Sequence, residues 1–227
     1  MMSESGERHR HMIPHSTLKT RQRAERDNWS SALALRVHRA LSWLNRSEQC
    51  QDDDGRFVFL WIAFNSAYAA DTGSLKQIEA QRFSAFLGRL AELDEHGRLS
   101  GLVWNRYSSA IRLLLENQFV FQPYWDHQNG LEGSDDWEER LSKANAAAHA
   151  ALGRHDTGAI LSIVFSRLYT LRNQLLHGGA TWDSGVNRDQ LRDGSEILSD
   201  VVPVLIEIMM DHPGELWGEP SYPVISD

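Results

Sequence analysis

The 227-residue sequence is poor in the features that mark many functional classes. Cys50 is its one cysteine, so there is neither a disulfide framework nor a cysteine-based zinc site. Neither GxGxxG nor a GxxxxGKS/T loop occurs, which argues against the common dinucleotide-binding and nucleotide-hydrolysing classes. HExxH and GxSxG are missing as well. The longest apolar run, residues 57–64 (FVFLWIAF), falls far short of the ~20 residues a spanning helix needs, so no membrane partner is expected. The first twenty residues are polar and carry no secretory h-region, and a reducing, cytoplasmic setting is the default expectation. Basic residues are outnumbered, 23 Lys and Arg against 31 Asp and Glu, for a net charge of −8. That balance excludes a protein that coats nucleic acid or anionic membrane nonspecifically, because such binding needs many bases to neutralise phosphates.

The charge that is present is segregated. Nine Lys and Arg lie in residues 1–46, whereas residues 193–227 hold eight acids and no base. Residues 1–25, with little apolar content, read as a flexible basic arm that reaches a polyanion, docks on the acidic body or is simply solvated. His9, His11 and His15 on that arm have no surrounding shell to make them a metal site, and no cofactor or metal is expected.

Residues 26–227 read as a single helical domain. Leu33, Val37, Ala40, Leu41 and Leu44 recur at spacings of three and four, one buried stripe of a helix over 30–45. Residues 57–70 are apolar nearly all round and belong at the centre, or are shared with a second subunit. Further helices are expected over 75–93, 102–121, 143–152 and 157–177, the last stopped by Gly178 and Gly179. A final helix over 187–210 is kinked or divided at Pro203. Residues 122–139 read as an acidic loop and the tail from Gly214 as extended. No hairpin-bounded alternation occurs, so the fold class is all-α.

The segment RNQLLHGG (172–179) carries the chemistry. Ile160, Val164, Leu168, Leu171 and Leu175 form the core stripe of its helix, and Phe165, Tyr169 and Leu176 form a second apolar row that calls for a partner, favouring a two-fold dimer. Asn173 and His177 share one face. Arg172 and His177 are five apart, about 140° around the axis, so a straight helix does not aim both at one atom. Either the helix unwinds at the glycines or two copies of the chain assemble the site. A histidine in a helix's last turn is favoured as imidazolium and moves protons near neutrality; an arginine holds charge developing on phosphoryl oxygens. A plainer reading has Arg172 in an ion pair and His177 only capping the helix.

Arg172, polar Asn173, three further positions and His177 at the end of a long helix resemble the RxxxxH motif of HEPN domains. FLWIAFNSAYA (59–69) is similar to the aromatic, Asn-containing helix of bacterial HEPN proteins, and HGGATWDSGVNRDQLRDG (177–194) resembles their Apea-like branch. The resemblance implies a HEPN-like bundle of four core helices plus extra helices that forms a homodimer, with two RxxxxH motifs facing one cleft. It implies a metal-independent endoribonuclease of a toxin–antitoxin or phage-defence type, acting on RNA, with a protein antitoxin or defence-operon partner. By carry-over Arg172 and His177 are catalytic and Asn173 orients them. Gly179 stands where some members carry a modifiable Tyr, so an antidote that modifies it is not implied. Trp182, Arg188, Asn65 and Tyr169 are candidate substrate contacts. The plainer expectations are core packing for Trp182, a surface ion pair for Arg188 and a buried hydrogen bond for Asn65. The alternative function is a non-catalytic RNA-, nucleotide- or protein-binding module, favoured by the acidic carboxyl half.

Overall fold

In the computed structural model the chain folds around α3 (Asp53–Tyr68), as its nearly all-round apolar surface requires. The structure describes residues 13–69, 79–185, 187–220 and 222. Among these there are helices and turns but no β-strand, and no helix is long and apolar enough to cross a membrane.

Three helices wrap α3. Helix α2 (Ser31–Glu48) begins at Ser30, whose hydroxyl accepts the Leu33 N–H at 3.2 Å, and buries all five residues of its stripe. Helix α9 (Thr157–Leu176) buries Ile160, Val164, Leu168 and Leu171, with Leu175 partly buried. Helix α10 (Arg188–Asp211) runs unbroken through Pro203, buried on every side from Val201 to Ile206. It approaches closely at Gly194, where a Cβ would lie 2.9 Å from Leu168 Cδ2 and 3.2 Å from Phe57. Helix α4 (Glu79–Leu93) crosses α9 at a second close approach, Gly88 against Gly158.

The amino-terminal expectation needs correction. Residues 15–25 are helix α1 (His15–Glu25), not a flexible arm; residues 1–12, with His9 and His11, lie outside the described residues. Leu18 and Gln22 are buried, the His15 N–H donates to Glu48, and Arg21 pairs with Asp211 at 2.7 Å. One buried leucine was too little to register as a period, yet with Gln22 and a charge pair it docks the helix on the acidic body.

The helix expected over 102–121 is broken. After α5 (Arg98–Gly101) comes a π-helical turn (Leu102–Arg106), then α6 (Ser108–Glu116) and a 3-10 turn (Gln118–Val120). The break has tertiary causes: Trp104 donates to Thr157 at 2.9 Å, and Tyr107 and Arg106 reach the buried Asp200 at 2.5 and 2.7 Å. The expected acidic loop is also partly helical, with α7 (Gln122–Gln128) and the first turn of α8 (Trp137–Gly153) inside it.

The tail after α10 is tethered. Arg36, fully buried, donates to the carbonyls of Gly218, Glu219 and Ala67 at 3.2, 3.0 and 2.8 Å. Burial pulls its guanidinium down to about 10, with no carboxylate side chain among those three partners.

Candidate functional site

Helix α9 delivers the RNQLLH segment to the surface at its carboxyl end. Asp156 caps the start by accepting the Ala159 N–H at 2.9 Å. The end is a Schellman turn: Gly178 sits at φ +73, its N–H bonds to the Leu175 carbonyl, and the Gly179 N–H bonds to the Gln174 carbonyl at 2.8 Å. The His177 N–H still reaches the Asn173 carbonyl at 3.0 Å. The helix therefore holds its register through His177 and does not unwind to bring that side chain toward Arg172.

Arg172 is half-buried, with its guanidinium 5.7 Å from the centre of the Tyr169 ring. Its Nη1 donates to Asn173 Oδ1 at 2.8 Å, and its buried Nε–H has no partner. The ion pair of the plainer reading is absent: among the described residues no carboxylate is paired with it. Asn173 thus meets Arg172 through its side chain, while only its backbone carbonyl reaches His177. The His177 imidazole is exposed, five residues along and on another side of the helix.

The Tyr169 ring is fixed from behind, 6.0 Å from Trp61 and 6.3 Å from Phe83. The second apolar row is mostly satisfied within the chain: Phe165 is fully buried against Phe64 and Trp61, and only Leu176, 50% exposed, still lacks a partner. Asn65 is not brought to the motif. Trp61 meets both Phe165 and Tyr169 while Phe64 meets Phe165, so α3 runs antiparallel to α9 and Asn65 lies away from its carboxyl end. Its buried Oδ1 has no hydrogen-bond partner, contrary to expectation. Trp61 Nε1 on the same face of α3 is another buried group without one.

The turn after the motif corrects a further expectation. Trp182 is 76% exposed rather than packed in the core. Arg188 does form the expected ion pair, with Asp54 at 2.7 Å, and also lies 3.7 Å from Asp183. It clamps the start of α10 to the start of α3. Gln174, which sequence reasoning passed over, joins three segments: its amide donates to the Phe119 carbonyl at 2.6 Å and accepts from Asn187 at 2.8 Å. A polar residue inside RNQLLH was the only signal, and the same was true of its neighbour Asn173.

The crevice beside the motif, between Gln174, Ala180, Asn187 and Arg188, encloses only about 10 Å³. A larger cavity, about 830 Å³, lies elsewhere, lined by Arg56, Arg106, Tyr107, Arg192 and Asp200, with none of the candidate residues on its walls. Its arginines are matched by acids: Arg56 with Asp53, Arg106 with Asp200, Arg192 with Asp193. Among the described residues no cluster of three or more His, Cys, Asp or Glu is disposed to hold a metal ion. No family model, curated protein or solved structure matches the chain.

Proposed function

We propose that this chain is a HEPN-type endoribonuclease of a toxin or phage-defence system, working as a homodimer whose two RxxxxH motifs share one cleft. The observation that carries the reading is Arg172: a half-buried guanidinium held by Asn173, with no acidic partner among the described residues, five residues before an exposed His177. A cation kept without a counter-ion is suited to an incoming anion, and phosphodiester oxygens provide one. Because α9 keeps its register to His177, the two groups diverge within one chain, and the second copy supplies the complement. The exposed Leu176 beside them is a contact for that copy.

The reaction is attack by the RNA's own 2′-hydroxyl on the adjacent phosphorus. The new 2′-O–P bond forms as the P–O5′ bond breaks, the 2′-proton passes to a base and the departing 5′-oxygen gains a proton. His177 takes one of these proton transfers, and Arg172 holds the charge on the phosphoryl oxygens. Purified protein is incubated with total RNA in EDTA beside His177→Ala and Arg172→Ala. Cyclic-phosphate ends from the wild type alone support the reading; equal cleavage by all three, or by none, sinks it.

A second reading, a non-catalytic RNA-, nucleotide- or protein-binding module, is favoured by the compensation of Arg188 by Asp54 and Asp183, which leaves less positive charge beside the motif than an RNA-cutting surface calls for. RNA binding without cyclic-phosphate product selects it.

A further inference from the structure

The 830 Å³ cavity has the size of a small-molecule pocket and shares no residue with the proposed ribonuclease site. The carboxyl end of α2, the start of α3, the turn before α6 and the first half of α10 build its wall. Five acids and three arginines line it. Each arginine is already committed: Arg56 to Asp53, Arg106 to Asp200, and Arg192 to Asp189 and Asp193. Two lining acids are left over, Glu48 and Glu196, and neither forms an ion pair among the described residues. Glu48 only accepts the His15 backbone N–H at 2.7 Å.

The acidic surplus is not confined to exposed side chains. Asp200 is only 4% exposed, and its contacts from Tyr107 at 2.5 Å and Arg106 at 2.7 Å both fall on Oδ2. Its Oδ1 accepts no hydrogen bond among the described residues, and a buried carboxylate oxygen in that state calls for a donor. Glu196 lies one turn before Asp200 on α10, so the two carboxylates are neighbours on one helix face. Buried Leu44 and Leu60 share the wall with them. Among the described residues no three acids converge closely enough to hold one metal ion. A ligand that satisfies this wall therefore carries positive charges set apart along an apolar stretch. A phosphate-bearing ligand would instead meet an excess of acid and no arginine without one.

We infer that this cavity binds a small organic polycation, an alkyl chain bearing two or more ammonium groups, with Asp200, Glu196 and Glu48 as its anchors. The assignment is independent of the ribonuclease reading, and its test involves no RNA. Spermidine is titrated calorimetrically into the wild type, Glu196→Gln, Glu48→Gln and Glu132→Gln. Glu132 is an exposed acid in the turn between α7 and α8 and does not line the cavity. Glu48 and Glu196 are exposed as well, and thermal unfolding checks that all three variants fold. Butylamine, magnesium and inorganic phosphate are titrated at the same salt concentration for comparison.

A single spermidine should bind per chain. Binding should weaken about ten-fold in Glu196→Gln and in Glu48→Gln, because each change removes a charged hydrogen-bond acceptor, and should be unchanged in Glu132→Gln. Butylamine, with a lone ammonium, should bind about ten-fold or more weakly than spermidine, and phosphate should not bind. Four results overturn the assignment. The wild type shows no saturable binding; both cavity variants bind as the wild type does; Glu132→Gln weakens binding as much as they do, which is diffuse attraction to an acidic surface; or magnesium at equal charge displaces spermidine.

Discussion

Gln174 donates to the Phe119 carbonyl at 2.6 Å, tying the end of α9 to the segment that follows α6. Its side-chain oxygen accepts from Asn187 and its backbone carbonyl from Gly179, so three segments meet on one residue between Arg172 and His177. Replacing it with Ala should cost roughly 0.5–1.5 kcal/mol, because the Asn187 amide loses its partner while the Phe119 carbonyl keeps the Trp125 indole N–H. Urea unfolding measures this, and amide exchange should quicken over residues 178–187. A change under about 0.5 kcal/mol would mean that water replaces both bonds.

Arg172 and Asn173 give a second prediction, resting on the ribonuclease proposal. Asn173→Ala should slow single-turnover cleavage roughly ten- to a hundred-fold while RNA affinity stays near that of the wild type, since it loosens the guanidinium without removing it. Asn173→Asp should weaken affinity too, because a carboxylate beside Arg172 neutralises it. Equal cleavage rates in wild type and Asn173→Ala would remove Asn173 from a positioning role.

Gly194 allows no side chain. An added Cβ would stand 2.9 Å from Leu168 Cδ2 and 3.2 Å from Phe57, at the crossing of α10 with α3 and α9. Gly194→Ala should destabilise by about 1–3 kcal/mol through overpacking. Gly88→Ala, with open space around its Cβ, should instead stabilise by roughly 0.5–1 kcal/mol. Paired thermal melts distinguish the two, and the same sign for both would contradict the packing described.

Asp211 sets an acid limb of stability. Burial pushes its carboxyl up, but hydrogen bonds from Arg98 at 2.6 Å and Arg21 at 2.7 Å, with their charges, hold it below the ordinary 3.8. A carboxyl whose folded value is depressed stabilises the fold above its unfolded value of about 3.9, and that contribution disappears as the pH falls through the folded value. Asp211→Asn should therefore be less stable near neutrality, with the gap to wild type closing below about pH 4. Urea unfolding across that range checks it, and a constant gap would rule it out.

Arg36 keeps the tail on the body by donating to the Gly218 and Glu219 carbonyls of the tail and to the Ala67 carbonyl at the end of α3. Arg36→Met keeps much of the apolar volume but leaves those acceptors unbonded, at a cost of about 3 kcal/mol or more. Limited proteolysis should then cut beyond His212, where the wild type is protected. Equal protection would place the tether elsewhere, on Arg89–Glu215 or on Trp217 against Phe86.

Much of the architecture was legible from local pattern. The stripe of Leu33, Val37, Ala40, Leu41 and Leu44, the all-round apolar α3 and the stop at Gly178 each follow from residues within one or two turns of one another. Helix α1 was missed because Leu18 alone gives no period, and the break at residues 102–106 because Thr157 and Asp200 lie far along the chain. At the candidate site, the RxxxxH spacing and the 140° divergence could be read directly. That no described carboxylate pairs with Arg172, that Gln174 is a junction and that Trp182 faces water could not.

The sequence by itself determined an all-helical chain, the placing of its main helices and the presence of Arg172, Asn173 and His177 at the end of α9. Periodicity and helix stops are local, and each residue carries them with it. Only the tertiary structure decided which charges are compensated and which aromatic rings are covered. Those outcomes depend on residues brought from distant segments, as Asp54 meets Arg188 and Asp211 meets Arg21.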